Sequence, residues 1–154
     1  MYSGAARDLV AAWKEHGLRR AANLAAELVV ERVDAPTADV ITSIPPDPMR
    51  LLVRGHHPAG RLARELARRW GLPEAGLLVR AGAGSSERQT GLARADRLRN
   101  ARDAFVAVTA TPRRIVLVDD VYTTGATVSA AATALRRAGA REVDVVTFAR
   151  TVRP

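Results

Sequence analysis

Two adjacent aspartates followed at once by a threonine–glycine turn are the residues of this sequence best equipped for chemistry. They lie in residues 115–128, IVLVDDVYTTGATV. The run from Ile115 to Val118 is all β-branched residues and leucine, which argues for a strand buried on both faces, as in a parallel sheet. Such a strand delivers Asp119 and Asp120 at its carboxyl end, the edge of an open α/β sheet where ligands bind. Thr123, Thr124, Gly125, Ala126 and Thr127 then lead into a helix. Glycine lets the backbone turn sharply and approach a ligand closely. Hydroxyl side chains and free N–H groups at a helix N-terminus make a phosphate cradle. Together these features suit a ligand with a phosphate at one end and hydroxyls or a hydrated metal at the other, as in a sugar phosphate. An ordinary helix cap uses the same Thr and Gly, but it has no need of two acids immediately upstream.

The surrounding sequence supplies the elements that must hold this segment. Residues 4–32 alternate apolar and charged positions at helical spacing in two stripes, Leu9, Val10 and Trp13, then Leu18, Ala22, Leu24, Ala25, Leu28 and Val29. Gly17 separates them, so two helices are expected. Residues 38–46 read as a strand through Val40, Ile41 and Ile44 that two prolines end. A Pro- and Arg-rich loop runs on through Gly55. A helix is expected over 58–70, stopped by Gly71 and Pro73. Short strands are expected at 77–80 and 105–108. Between them, residues 81–87 (AGAGSSE) read as a mobile break, and 89–100 as a polar, basic stretch. The strand at 114–119, a helix at 127–138 and a strand at 143–148 complete a β-α-β pattern with a right-handed crossover. The expected fold class is α/β, one domain over residues 1–154, with a mostly parallel Rossmann-like sheet flanked by helices. Residues 1–35 form a helical N-terminal region and 36–154 the core.

Composition limits what this fold could do. The chain has 154 residues and 47% hydrophobic residues, enough for one sizeable core. It has no cysteine, which excludes disulfides, thiolate metal sites and a cysteine nucleophile. No apolar run approaches the roughly 20 residues of a membrane helix, and the first ten residues lack the order of a signal peptide, so a cytoplasmic location is expected. The net charge is +8, with Lys14 the sole lysine. The arginines are spread along the chain rather than clustered. No RNP, zinc-finger or helix-turn-helix pattern accompanies them, so nucleic-acid binding stays open without a motif to support it.

Residues 116–127 closely resemble the signature with which type I phosphoribosyltransferases bind 5-phosphoribosyl-1-pyrophosphate (PRPP): an apolar strand, paired acids, then T-T-G-x-T. Nearly the whole chain resembles the ComF family of competence-associated phosphoribosyltransferase-like proteins. Trp13, Lys14 and Gly17 resemble its early helix ending, and Arg54-Gly55 before Leu62-Ala63 its R-G-F-N-type segment. Gln89-Thr90-Gly91-Leu92, Arg97, Asn100, Ala104 and Phe105 resemble its Q-x-x-L…R-x-x-N…A-F segment. Two departures stand out. Many members carry a cysteine zinc module, whereas this sequence has no cysteine. His56-His57-Pro58 also stands where the family often has an aromatic, an amide or acid, and another polar residue.

The resemblance implies a type I phosphoribosyltransferase fold, PRPP as substrate and Mg²⁺ as cofactor, held through PRPP rather than directly by the protein. Asp119 and Asp120 inherit the ribose hydroxyls, and Thr123, Thr124, Gly125, Ala126 and Thr127 the 5-phosphate. Residues 45–57 take the place of the pyrophosphate loop. Arg54, Arg80 and Arg88 are its candidate pyrophosphate contacts, and Arg50 can also donate to phosphate oxygens. Arg88 joins the two acids as a candidate catalytic residue, carried on a loop that closes over the reaction. His56 and His57 read as a solvated loop pair, and Tyr122 as a ribose contact or a packing residue. The expected activity is phosphoribosyl transfer to an acceptor, nucleobase or amine, that the sequence does not name. The alternative is a PRPP- or nucleotide-binding accessory protein of DNA uptake without turnover. A receiver domain, which also uses paired acids, fits poorly because here the pair leads straight into a phosphate loop. The oligomeric state stays open.

Overall fold

The computed structural model describes residues 19–81 and 104–150. In chain order its elements are α1 (Arg19–Val30), β1 (Val40–Ser43), α2 (Pro48–Arg54), α3 (Pro58–Trp70), β2 (Leu78–Arg80), β3 (Phe105–Ala107), β4 (Arg114–Tyr122), α4 (Ala126–Arg137) and β5 (Glu142–Arg150). Strands β1, β4 and β5 form a parallel sheet in the order β1-β4-β5, while β2 and β3 pair antiparallel in a separate two-stranded sheet. Residues 73–75 extend the parallel sheet beyond β1: the Ile41 N–H donates to Pro73 O and the Ala75 N–H to Ile41 O.

The expected burial of β4 on both faces is found, and alternation along the strands explains it. Ile41, Val116 and Val118 belong to a core cluster with Ala22, Ala25 and Ala26 of α1 and Leu62, Ala63 and Leu66 of α3. Val40, Ile115 and Leu117 belong to a second cluster with Val128, Ala131 and Leu135 of α4, and with Leu78 and Phe105 of the small sheet. Strands with apolar residues at both parities are stable only between two helical layers. Helix α1 meets the core with alanines, and Leu24 of the expected stripe stays 44% exposed. Among the described residues no helix is long and apolar enough to cross a membrane.

At the amino-terminal edge of the sheet, Asp39 staples β1 to β4. Its carboxylate accepts the Arg114 backbone N–H at 2.9 Å and Arg114 Nη2 at 2.8 Å. The Arg114 guanidinium, together with that backbone bond, holds the Asp39 carboxyl below the usual carboxylate range. The opposite, carboxyl-terminal edge differs from the sequence reading in two ways. Strand β4 does not stop at Asp119 but stays paired with β5 as far as Tyr122↔Arg150. The loop expected after β1 contains a helix, α2.

Helix α2 had sequence signals of its own. Asp47 is its N-cap, accepting from the Met49 and Arg50 N–H groups at 3.0 and 3.1 Å, Pro48 sits in the first turn, and Gly55 closes it at φ 66°. What α2 lacks is an inward apolar face. Met49, Leu52 and Val53 are exposed, so no core periodicity marks it.

Candidate functional site

The carboxyl-terminal edge holds a cavity of about 210 Å³ between two segments that leave adjacent parallel strands. One wall comes from β4 and the turn after it, with Asp119, Asp120, Val121, Thr123 and Thr127 reaching the cavity. The other comes from the excursion between β1 and α3: Ile44 to Asp47, Arg50 and Leu51, and His56 to Ala59. Arg80, from the end of β2, adds to this second wall.

The first wall is built by short-range geometry. Asp119 and Asp120 are half-buried near the end of β4, and Asp119 Oδ1 accepts the Asp120 N–H at 2.9 Å. Gly125, at φ 77°, is the N-cap of α4, so the first-turn N–H groups of that helix lie just past it. Thr123 and Thr127 are exposed and line the cavity, whereas Thr124, Gly125 and Ala126 form the turn itself. Thr124 Oγ1 accepts from the Ala126 N–H at a long 3.4 Å.

Two constraints keep residue 125 a glycine. Its φ is a conformation that side-chain-bearing residues adopt at a cost. In addition, a Cβ placed there would collide with the Tyr122 hydroxyl and come within 2.7 Å of Tyr122 Cζ. Tyr122 packs against the cluster beneath α4, with the Arg150 guanidinium 5.4 Å from its ring centre. It packs behind the turn, one of the two roles its position allowed.

The second wall is built by long-range contacts. Arg80, expected to meet pyrophosphate, donates Nε–H to the Pro45 and Pro46 carbonyls at 3.2 and 3.1 Å, and its guanidinium carbon lies 5.0 Å from the centre of the Phe105 ring. Arg50 is exposed on the first turn of α2 and lines the cavity. Asp47 also lines it, its carboxyl held below the usual range chiefly by the Arg50 backbone N–H. Arg54 ends α2, and its side chain falls outside the description, as do Arg88, Gln89 and the rest of the expected break beyond Ala81.

The histidines are not the solvated pair the sequence suggests. His56 is only 7% exposed. His57 is half-buried, with Nε2 2.9 Å from the Ile44 carbonyl. A carbonyl only accepts, so Nε2 carries the proton. Burial pushes the His57 imidazole below the ordinary histidine range, opposed by the Ile44 bond and by the charges of Asp120 and Glu74 and assisted by Arg80. Its ring lies over the first turn of α3, where a Cβ on Gly60 would come 2.5 Å from Nδ1. The H-H-P-x-G spacing was the available signal for this packing.

Among the described residues no three His, Asp or Glu side chains converge to hold a metal ion. A Mg²⁺ ion brought in on a bound phosphate needs no such cluster, because it keeps several waters and takes other oxygens from the phosphate. Asp119, Asp120 and Asp47 are the carboxylates in place around the cavity.

No protein-family model matches the chain. The chain is similar to competence protein F of Haemophilus influenzae, at 31% identity over 142 residues that cover 90% of this chain and 62% of that protein. It is similar to the solved glutamine phosphoribosylpyrophosphate amidotransferase of B. subtilis, with 26% identity and a TM-score of 0.58, covering 84% of this chain and 26% of that one. Adenine phosphoribosyltransferase from Thermoanaerobacter pseudethanolicus shares the fold at 15% identity and a TM-score of 0.51, covering 86% of this chain and 81% of that one. This chain therefore spans less than two thirds of the competence protein and about a quarter of the amidotransferase. A parallel sheet layered between helices, a cavity at its carboxyl edge and these likenesses converge on one conclusion: the chain has the type I phosphoribosyltransferase fold, and it is similar to competence protein F over most of its own length.

Proposed function

We propose that the cavity binds PRPP and that the protein transfers its phosphoribosyl group to a nitrogen acceptor, a nucleobase or an amine, releasing pyrophosphate. The observation that carries this reading is the division of the cavity. Paired carboxylates and a helix N-terminus stand on one wall, and an excursion bearing Arg50, with Arg80 of β2 beside it, stands opposite. In the proposed complex, Asp119 and Asp120 accept hydrogen bonds from the ribose hydroxyls. Thr123, Thr127 and the first-turn N–H groups of α4, reached through Thr124, Gly125 and Ala126, hold the 5-phosphate. The pyrophosphate lies toward the excursion, with Arg50, Arg54 and Arg80 on that side. Arg88 belongs to the same proposal and lies outside the described residues.

The reaction forms a bond from the acceptor nitrogen to ribose C1 and breaks the bond from C1 to the pyrophosphate oxygen; the acceptor then loses its proton. No protein nucleophile is needed, so the protein contributes positioning and electrostatics. The two aspartates also favour the positive charge that develops on the sugar. Mg²⁺ bound with PRPP would neutralise the departing pyrophosphate. The likeness to competence protein F favours a second reading, in which the chain binds PRPP or a nucleotide as an accessory of DNA uptake and turns nothing over. One experiment separates the two: incubate the protein with PRPP and Mg²⁺ against a panel of purines, pyrimidines and amines, and measure pyrophosphate release beside calorimetric PRPP binding. Release with one acceptor supports transfer, and binding without release supports the accessory role. No binding at all removes both readings.

A further inference from the structure

We infer that Arg80 and His57 are positioning residues that latch the excursion between β1 and α3 into the shape of a pyrophosphate cradle; this rests on the proposed PRPP site. The excursion begins where the chain leaves the sheet. Ile44 is the last residue tied to β4, its N–H donating to Val118 O at 3.0 Å. The two prolines that follow have no N–H, but their carbonyls still need partners, because a half-buried acceptor left without one is costly. Arg80 supplies that partner to both carbonyls from 35 and 34 residues away.

The Arg80 side chain is itself constrained. Its residue pairs with Phe105 in the β2–β3 ladder, and its guanidinium lies over the Phe105 ring. A cation fixed between an aromatic face and two carbonyls holds a backbone corner in place. The far end of the excursion is fixed in the same manner. His57 Nε2–H donates to the carbonyl of Ile44, 13 residues earlier, so the segment is closed at its base. Gly60 leaves the space that the imidazole occupies. Between the two latches Asp47 caps α2, and Arg50 is thereby presented to the cavity from a preset backbone. Preset geometry of this kind raises affinity by removing the ordering cost of binding. The sequence had cast Arg80 as a direct contact to pyrophosphate. The geometry gives it a role exerted through Pro45 and Pro46.

The test is calorimetric titration of Mg²⁺–pyrophosphate and, separately, ribose 5-phosphate into wild type, Arg80→Ala, Arg80→Gln, His57→Ala and His57→Gln. Glutamine keeps an N–H donor without Arg80's charge or His57's ring. Both alanine variants should lose about tenfold in pyrophosphate affinity, the scale of one hydrogen bond removed from a cradle, and keep ribose 5-phosphate affinity, which also reports that they are folded. Both glutamine variants should recover most of the loss. Amides of Met49, Arg50, Leu51 and Gly55, hydrogen-bonded within the excursion, should exchange faster in the alanine variants. An Arg80→Gln protein as weak as Arg80→Ala would make Arg80 a charged ligand and overturn the latch. So would alanine variants that bind pyrophosphate like wild type. Wild type that binds neither ligand removes the PRPP reading itself, an outcome distinct from both.

Discussion

The two walls of the cavity are made in opposite ways. The wall from β4 needs three residues, 123–125, to pass from strand to helix, and its internal contacts join neighbours: Asp119 to Asp120, Thr124 to Ala126, Gly125 to Tyr122. The wall from β1 takes fourteen residues, 44–57, to reach the next layer and is held by partners up to 35 residues distant. A locally encoded wall keeps its shape wherever the strand and helix form. A wall encoded at long range depends on the whole assembly, so it is the one that loosens when a single distant contact is removed. The difference teaches which wall tolerates substitutions elsewhere in the chain and which does not.

The largest effect should come from disturbing the local wall. Gly125→Val places a β-branched residue at φ 77° and drives its Cβ into the Tyr122 ring. Binding of both PRPP and ribose 5-phosphate should be lost by calorimetry at low and at raised salt. Adding Tyr122→Ala should relieve the collision and leave the backbone strain, on the order of 1–2 kcal/mol. Wild-type affinity in Gly125→Val would mean that the phosphate is not held here. The next effect in size concerns the acids. Asp119→Asn with Asp120→Asn should weaken PRPP binding by roughly 1.5–3 kcal/mol per charged hydrogen bond lost. Thermal unfolding should barely change, because an asparagine at 119 can still accept the Asp120 N–H.

The long-range wall should register pH instead. Burial lowers the pKa of His57 in the folded protein from its ordinary value of about 6.5 in the unfolded chain. Its contribution to stability is therefore present above about 6.5 and is lost as pH falls through the folded value. Urea midpoints measured from pH 7.5 down to 5 should decline across that window in wild type and decline less in His57→Gln. Equal slopes would place the acid sensitivity elsewhere. Asp39, also depressed, adds a loss of the same sign at lower pH, below the usual carboxylate range. The smallest effect is expected at Thr124. Thr124→Ser keeps the hydroxyl that makes the 3.4 Å contact, so ribose 5-phosphate affinity should stay within about twofold of wild type.

How much of this was legible in the sequence follows the same division. The β4 wall could be read because a buried strand, two acids and a glycine turn are contiguous, and each has a local physical signature. Even there the strand end was misplaced, since pairing of Val121 and Tyr122 depends on β5 running on to Arg150. The β1 wall was legible only in its starting strand. Helix α2 carries cap residues but no buried face, so hydrophobic periodicity passes over it. The histidine pair reads as solvated until Ile44 and Gly60 are known to surround it. The bonds of Arg80 to Pro45 and Pro46 were not legible, because a side chain reaching backbone carbonyls 35 residues away leaves no trace in spacing.

The continued pairing of β4 with β5 beyond the acids has a mechanical consequence. A strand paired with its neighbour on both sides of the acids, out to Tyr122↔Arg150, cannot shift its backbone there without shearing the sheet. The acids thus act as a stationary datum, and whatever docks there inherits the coordinates of the sheet. Spectroscopic labels on the two walls would then not move alike. One at Thr123 should report the same position in wild type and in Arg80→Ala, while one at Leu52, exposed on α2, should carry nearly all of the displacement that removing the latch causes.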